Sequence, residues 1–216
     1  MSDRIRPLPQ RPTILAIWAC LLLMPLALAA CSSEKDRLEA IAATAAAGRS
    51  AAATSLRTAF FAKEITANAA IDLAHTKVDR LSPSTYSTQP TANDIAFAGA
   101  VLDFIEQTEP DIDAKVLNEF FWIRIGTLAG NAAAAARKAE DLPAARALVL
   151  AGPTRWQTEA YWRQHPAHDA LASMILFESG ESDKALNRLR DRPDLADDVQ
   201  IVKDTIEKEL KKRPRK

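Results

Sequence analysis

The sequence contains little glycine, little cysteine and no excess of charge of either sign. Only 6 of its 216 residues are glycine and 2 are cysteine, and 28 basic side chains balance 28 acidic ones. A neutral chain presents no broad positive field to phosphates, which excludes a large nucleic-acid-binding domain. The sequence also lacks a Gly-rich phosphate loop, a paired Cys motif, a Gly-x-Ser-x-Gly turn and a His-Glu-x-x-His helix. The usual signatures of nucleotide, zinc and serine-hydrolase chemistry are therefore missing.

The N-terminal segment, residues 1–30, differs from the rest of the chain. Arg4, Arg6 and Arg11 precede an apolar run over residues 14–30, which ends in small residues. This order of basic, apolar and small residues is typical of a signal peptide. The run contains Pro25, and its length is at the lower limit of the roughly 17–25 residues that a permanent membrane-spanning helix needs. Export is therefore the favoured interpretation.

The apolar run ends in Leu28-Ala29-Ala30-Cys31, which resembles the lipobox of bacterial lipoproteins. The resemblance implies that the Cys31 thiol is joined to diacylglycerol, that the preceding peptide bond is cut, and that the new amino group is acylated. Cys20 is a weaker candidate, since a bulky Trp18 and only a short apolar stretch precede it. The alternative is a plain secreted or membrane-spanning segment in which Cys31 has no such role.

Processing before Cys31 would leave a nearly neutral chain with slightly more acidic than basic side chains, because three arginines and one aspartate leave with the signal. No free thiol would remain for a disulfide, a metal cluster or a nucleophile. Several acyl chains would anchor the protein stably. In the lipoprotein family, Ser32 in place of Asp after the acylated residue implies the outer membrane of a Gram-negative bacterium, facing the periplasm.

The remaining residues predict an all-α fold, because apolar residues recur at spacings of three and four and no stretch alternates over strand length. Ser33 and Asp36 are predicted to cap the start of the first helix, and Gly48 is predicted to interrupt that helix. A second helix is predicted to continue to about residue 80. A third helix is predicted to be capped by Asn93 or Asp94 and to end at Glu109. Further helices are predicted from about 113 to 136 and at 142–151, 154–164, 167–179, 182–191 and 194–212.

The chain divides into four predicted segments. Residues 82–93 are rich in Ser, Thr and Pro without periodicity, which is typical of a linker. The sequence therefore predicts a signal peptide at 1–30, Ala-rich helices at 31–81, this linker, and a helical repeat-like domain at 94–216.

An internal repeat is visible when residues 119–153 are aligned with residues 159–193. A period of roughly 40 residues is typical of helical solenoids, in which each unit is a helix pair. The matched pairs are Glu119 with Glu159, Phe121 with Tyr161, Trp122 with Trp162, Ala145 with Ala185, and Pro153 with Pro193.

The two units resemble tetratricopeptide repeats. Residues 180–186 with Leu189 resemble the turn and second helix of that family, and residues 140–145 resemble the same turn in the first unit. In the first unit, however, the helix before the turn is about two turns longer than in the family. In the second unit, Pro193 comes about one turn before the position of the family's closing Pro. The predicted fold is thus a set of helical hairpins, either a short tetratricopeptide-like solenoid or an irregular helical bundle.

One short stretch suggests an enzyme. Residues 178–180, Glu-Ser-Gly, resemble the element around the general acid of lytic transglycosylases, which cleave peptidoglycan. That family also needs a Gly-Leu-Met-Gln stretch and an aromatic lobe downstream, and residues 181–216 contain neither. The end of a helix with a Gly cap explains the stretch equally. His165 and His168 with Asp169 provide no third imidazole or thiolate for a metal, so no catalytic residue, metal or cofactor is predicted.

A cluster of aromatic and basic residues lies between the two repeat-like units. Trp, Tyr and Arg dominate binding hot spots, although the Trp residues could instead fill the interface between repeats. The cluster consists of Arg155, Trp156, Tyr161, Trp162 and Arg163. The sequence therefore predicts a lipid-anchored scaffold or assembly factor that binds another envelope protein and no nucleic acid. The alternatives are a peptidoglycan-cleaving enzyme and a pilotin-like chaperone of a secretion or pilus system.

Overall fold

The computed structural model describes residues 33–79, 89–150, 166–190 and 197–212, and all regular secondary structure in these residues is helical. The all-α prediction is confirmed. The helices are α1 (Glu34–Thr44), α2 (Arg49–Phe61), α3 (Ala67–Val78), α4 (Ala92–Thr108), α5 (Glu119–Lys138), α6 (Leu142–Val149), α7 (Pro166–Glu178), α8 (Ser182–Arg190) and α9 (Asp197–Lys212). Short 3₁₀ turns follow α1 and α4, at Ala45–Ala47 and Glu109–Asp111.

Helix α4 lies at the centre of the fold. It packs against α1, α2, α3 and α5, and it is apolar on nearly every side, as expected of a surrounded helix. Phe97, Leu102 and Phe104 are fully buried, and burial of each such side chain contributes about 1.5–3 kcal/mol. The Phe104 ring meets the Phe60 ring of α2 edge-on, with 5.7 Å between centroids. Helices before and after the predicted linker thus share one core.

The first five helices run alternately up and down. The start of α1 lies at the turn between α2 and α3, because the Glu34 carboxylate accepts hydrogen bonds from the Thr66 amide at 2.6 Å and the Thr66 hydroxyl at 3.0 Å. The end of α1 lies beside the start of α4, where the Asn93 side chain donates to the Ala42 carbonyl at 2.6 Å. The bundle therefore has two ends, one at Ser33 and the other at the start of α4.

The capping pair and the interruption near Gly48 are confirmed, but the second predicted helix is two helices. Lys63 adopts a left-handed φ of 60°, and the Glu64 and Lys63 amides donate to the carbonyls of Ala59 and Phe60, which is a Schellman ending. Thr66 then caps α3. The prediction was wrong because lysine replaces the glycine that normally marks such an ending.

Two other boundaries also differ from the prediction. Thr91 caps α4, with its hydroxyl and the Asp94 carboxylate forming a capping box, while Asn93 bonds to the end of α1. Helix α5 begins at Glu119 rather than near residue 113, because the Asn118 side chain accepts the Phe121 amide. Side-chain caps of this kind compete with helix continuation and fix the first turn.

The second half of the described chain contains two helical hairpins. Helices α5 and α6 form one, α7 and α8 form the other, and α7 packs against both helices of the first hairpin, while α9 packs on α7 and α8. The two turns have the same hydrogen bonds at equivalent positions of the repeat: the Asp141 and Glu181 amides donate to the Ala136 and Leu176 carbonyls. Glu140 and Gly180 are the left-handed residues, with φ of 62° and 85°.

Two glycines permit close approaches between helices. A Cβ added at Gly99 of α4 would lie 2.8 Å from Nε of Arg49, which crosses this glycine to form two hydrogen bonds of 2.6 Å with Asp103. A Cβ at Gly130 of α5 would lie 2.5 Å from the His168 ring of α7. Both glycines therefore set the distance at which a polar side chain packs on the neighbouring helix.

We expect Ala185→Leu to lower the free energy of unfolding by about 1–3 kcal/mol, because Ala185 is fully buried and a larger side chain would overpack the α7–α8 hairpin. Ala145, its counterpart in the first hairpin, is equally buried and should behave alike. Chemical denaturation followed by circular dichroism measures the effect, and Ala147→Leu on the exposed face of α6 is the control. Equal stability of Ala185→Leu and wild type would contradict a close-packed hairpin.

Candidate functional site

The predicted acylation site and the predicted partner-binding residues lie outside the described part of the chain. The former is Cys31, and the latter are Arg155, Trp156, Tyr161, Trp162 and Arg163. Their roles stay predictions. Among the clefts of the described residues, two lie at opposite ends of the helical bundle.

The first cleft, which we name the phenylalanine cleft, lies at the end of the bundle where α1 begins. Its volume is about 610 Å³, and it lies between the α2–α3 turn and the segment that joins α4 to α5. Most of the lining surface is apolar, and polar residues contribute the rest. The residues that define it are Phe60, Phe61, Lys63, Ile65, Ile112 and Val116.

Exposed aromatic rings lie at this same end of the bundle. Phe61 is 51% exposed and Phe120 is 68% exposed, whereas Phe121 is buried. Each exposed ring has an arginine over its face: the Arg57 guanidinium is 5.5 Å from the Phe61 centroid, and that of Arg124 is 5.9 Å from the Phe120 centroid. Such cation–π contacts are worth about 0.5–1 kcal/mol at exposed sites. Two rings and two cations thus share one end of the molecule.

Sequence reasoning missed these exposed rings. The sequence has two Phe-Phe pairs, Phe60-Phe61 and Phe120-Phe121, and the apolar spacing that predicts the helices places all four rings on apolar faces. Adjacent residues of a helix point about 100° apart, so one member of each pair leaves the core. The available signal was an arginine one turn away on the exposed side, at Arg57 before Phe61 and Arg124 after Phe120.

The second cleft, which we name the alanine cleft, lies at the opposite end of the bundle. It has a volume of about 470 Å³ between the start of α4 and the α5–α6 hairpin. Ile95 and Leu148 are apolar residues of its lining, and Arg49 and Asp141 contribute charge. Most of the wall consists of small side chains, namely Ala46, Ala92, Ala96, Ala139, Ala144 and Ala147. Such a cleft leaves space for a side chain of another molecule.

Glu178, the residue of the enzymatic alternative, is held by an arginine. The Arg137 guanidinium donates two hydrogen bonds to the Glu178 carboxylate, at 2.8 and 2.6 Å, and this hydrogen bonding raises the pKa of Arg137. Both oxygens of the Glu178 carboxylate thus accept from the guanidinium, as in a bidentate arginine–carboxylate pair. The pair connects the end of α5 to the end of α7. This geometry favours the structural interpretation of Glu178.

Glu181 makes the second charged connection between the hairpins. Arg146 of α6 and Lys184 of α8 both donate to its carboxylate. The hydrogen bond from Arg146, followed by that from Lys184, lowers the pKa of Glu181 from its ordinary 4.5 to about 2. Hydrogen bonds to the charged form of a carboxyl group act in this direction. Glu181 therefore remains ionised in the folded protein until the pH is strongly acidic.

We expect Glu181→Gln to flatten the acid dependence of stability. Because folding lowers the Glu181 pKa, the stabilisation is complete above about pH 4.5 and is lost as the pH falls towards 2. Denaturant unfolding at a series of pH values measures the slope, which should be shallower in Glu181→Gln. Glu207→Gln, at an exposed position of α9, should retain the wild-type slope. A wild-type slope in Glu181→Gln would show that the contact is absent in solution.

No three His, Cys, Asp or Glu side chains within residues 33–79, 89–150, 166–190 and 197–212 lie close enough to hold a metal ion. Asp169, which the sequence analysis considered as a metal ligand, is almost completely buried and accepts a hydrogen bond from Arg188 of α8. Over the same ranges, none of the helices has the length and apolarity that crossing a membrane requires.

Comparison with known proteins gave no relative: no family model, no curated protein and no solved structure matches the chain.

Proposed function

We propose that the chain is a lipid-anchored envelope protein that faces the periplasm and acts as a scaffold or assembly factor for another envelope protein. The anchor in this proposal is Cys31, on the evidence of the basic residues, apolar run and small residues that precede it. The proposed interaction surface is the alanine cleft. The observation that carries this choice is the alanine-lined wall itself.

A wall of alanines suits a binding function, because small side chains leave an apolar recess into which a partner can insert an anchor residue. Anchor residues in well-packed pockets provide most of the energy of protein interfaces. Asp141 supplies a carboxylate at the same cleft, whereas Arg49 is paired with Asp103. A basic group of the partner opposite Asp141 would orient the partner and favour it over other proteins.

The predicted hot-spot residues are close in sequence to this cleft. Helix α6 contributes Ala144, Ala147 and Leu148 to the lining and ends at Val149. The aromatic and basic stretch over residues 155–163 follows shortly after it. We propose that these residues also take part in binding the partner, and that the hairpins of α5–α6 and α7–α8 are tetratricopeptide-like units.

The test fills the cleft. Ala147→Arg places a long charged side chain at an exposed position of α6 that lines the cleft, and Ala40→Arg makes the same change on the exposed face of α1. We expect Ala147→Arg to abolish crosslinking to the partner protein in the native envelope, detected by mass spectrometry, while Ala40→Arg retains it. Helix content and membrane attachment should be unchanged in both variants. Wild-type crosslinking by a folded Ala147→Arg protein would refute the assignment of the cleft.

A further inference from the structure

We infer that the phenylalanine cleft and its exposed rings form the surface that lies on the phospholipid bilayer, so that the alanine cleft points away from the membrane. This inference rests on the proposed lipid anchor, and it adds which end of the domain the anchor holds against the bilayer. It commits to a lipid surface as the occupant of this end.

The position of the start of α1 is the first argument. Cys31 is two residues before Ser33, which spans at most ~7 Å of extended chain. The Glu34 carboxylate accepts hydrogen bonds from Thr66, and Thr66 lines the phenylalanine cleft. A second contact, between Arg37 and Glu64 at 3.1 Å, fixes α1 to the same turn. Acyl chains on Cys31 would therefore enter the bilayer beside this cleft.

The exposed aromatic rings are the second argument, and they are independent of the anchor. Phe61 and Phe120 are two of only four large apolar side chains that are exposed among the described residues, and both lie at the end where α1 begins. The Arg57 and Arg124 guanidinium groups lie over their faces. Exposed aromatic rings suit the membrane interface, where the ring enters the boundary between headgroups and acyl chains.

The charges at this end of the bundle determine how strongly docking depends on anionic lipid. Asp111 and Asp113 line the cleft together with Lys63, and Asp72 accepts a hydrogen bond from Arg124. The surface is therefore mixed rather than basic, and docking depends on insertion of the rings more than on attraction to anionic lipid. We expect the protein to dock on phosphatidylcholine vesicles as well as on vesicles that contain phosphatidylglycerol.

The geometry also provides an internal control. Leu150 follows the end of α6 and is 41% exposed. Helix α6 begins beside the alanine cleft and, with 8 residues, spans only about 12 Å, whereas the 20 residues of α5 span about 30 Å between the two ends. Leu150 should therefore remain in water when Phe61 and Phe120 enter the bilayer.

Hydroxyl-radical footprinting with mass spectrometry tests the inference. The purified acylated protein is oxidised on phosphatidylcholine vesicles. As the reference, the chain from Ser32 onwards, which carries no acyl chains, is oxidised free in solution, and oxidation is read at Phe61, Phe120 and Leu150. We expect vesicles to reduce oxidation of both rings by roughly threefold or more, because insertion removes them from water, and to leave Leu150 unchanged. Equal oxidation of the rings in both states, or equal protection of Leu150, would overturn the inference.

A second preparation separates this inference from the anchor itself. A chain that begins at Cys31, and so retains every described residue, is coupled through its thiol to a maleimide phospholipid in the same vesicles. Failure of the natural protein to float with vesicles would refute natural acylation, while the coupled protein still reports which end faces the bilayer. Protection of Phe61 and Phe120 in the coupled protein supports the inference, and its absence overturns it.

Discussion

Replacing Cys31 with Ser should leave an unprocessed precursor that takes up no radiolabelled palmitate. The expected loss is complete, because the proposed acylation requires the thiol and serine provides none. The precursor should keep its apolar segment, residues 14–30, and should therefore be found in the membrane fraction. No mature form should be visible on gels. The measurement is metabolic labelling followed by immunoprecipitation.

Cys20→Ser is the matched control, since it removes the other cysteine of the apolar segment. It should be processed and labelled as the wild type is. Normal labelling of Cys31→Ser would refute the assignment, and loss of labelling in Cys20→Ser alone would move the acylation site to Cys20.

Replacing Phe104 with Ala should lower the free energy of unfolding by about 3–5 kcal/mol, the usual cost of removing a buried aromatic side chain. Phe104 is fully buried in α4 and contacts Phe60 of α2 edge-on. Because α4 packs against both the early helices and α5, the variant should unfold as one unit at lower denaturant concentration. Denaturation followed by far-ultraviolet circular dichroism measures the shift.

Phe120→Ala is the control for this prediction, because it removes the same side chain from a site that is 68% exposed. Its free energy of unfolding should fall by no more than about 1 kcal/mol, because the ring loses only its exposed cation–π contact with Arg124. Two separate transitions in Phe104→Ala, one for the early helices and one for the rest, would show that α4 does not join them.

The sequence predicts most of the helices because their apolar spacing is regular. It does not predict a helix end where another residue takes the place of the usual glycine. Gly180 indicates the turn before α8, and the structure places it there with a left-handed φ. Lys63 and Glu140 adopt the same conformation without glycine. The break at Lys63 was missed for this reason, whereas the turn at Glu140 was predicted because residues 140–145 resemble the turn of tetratricopeptide repeats.

Predicting the clefts from sequence is harder than predicting the helices. The phenylalanine cleft combines α2 and α3 with the segment before α5, and the alanine cleft combines α4 with α6. The residues of each cleft are far apart in sequence, and their proximity depends on the up-and-down order of helices around α4. Local periodicity carries no information about this order, although the Phe-Phe pairs show that some rings must leave the core.

Site-specific photo-crosslinking in the native envelope tests the account most directly. A photoreactive amino acid is placed at Ala147, in the alanine cleft, or at Phe120, at the opposite end of the bundle. The account predicts a discrete protein adduct of constant mass from position 147 and only lipid adducts from position 120. A protein adduct from position 120 with none from position 147 would contradict it.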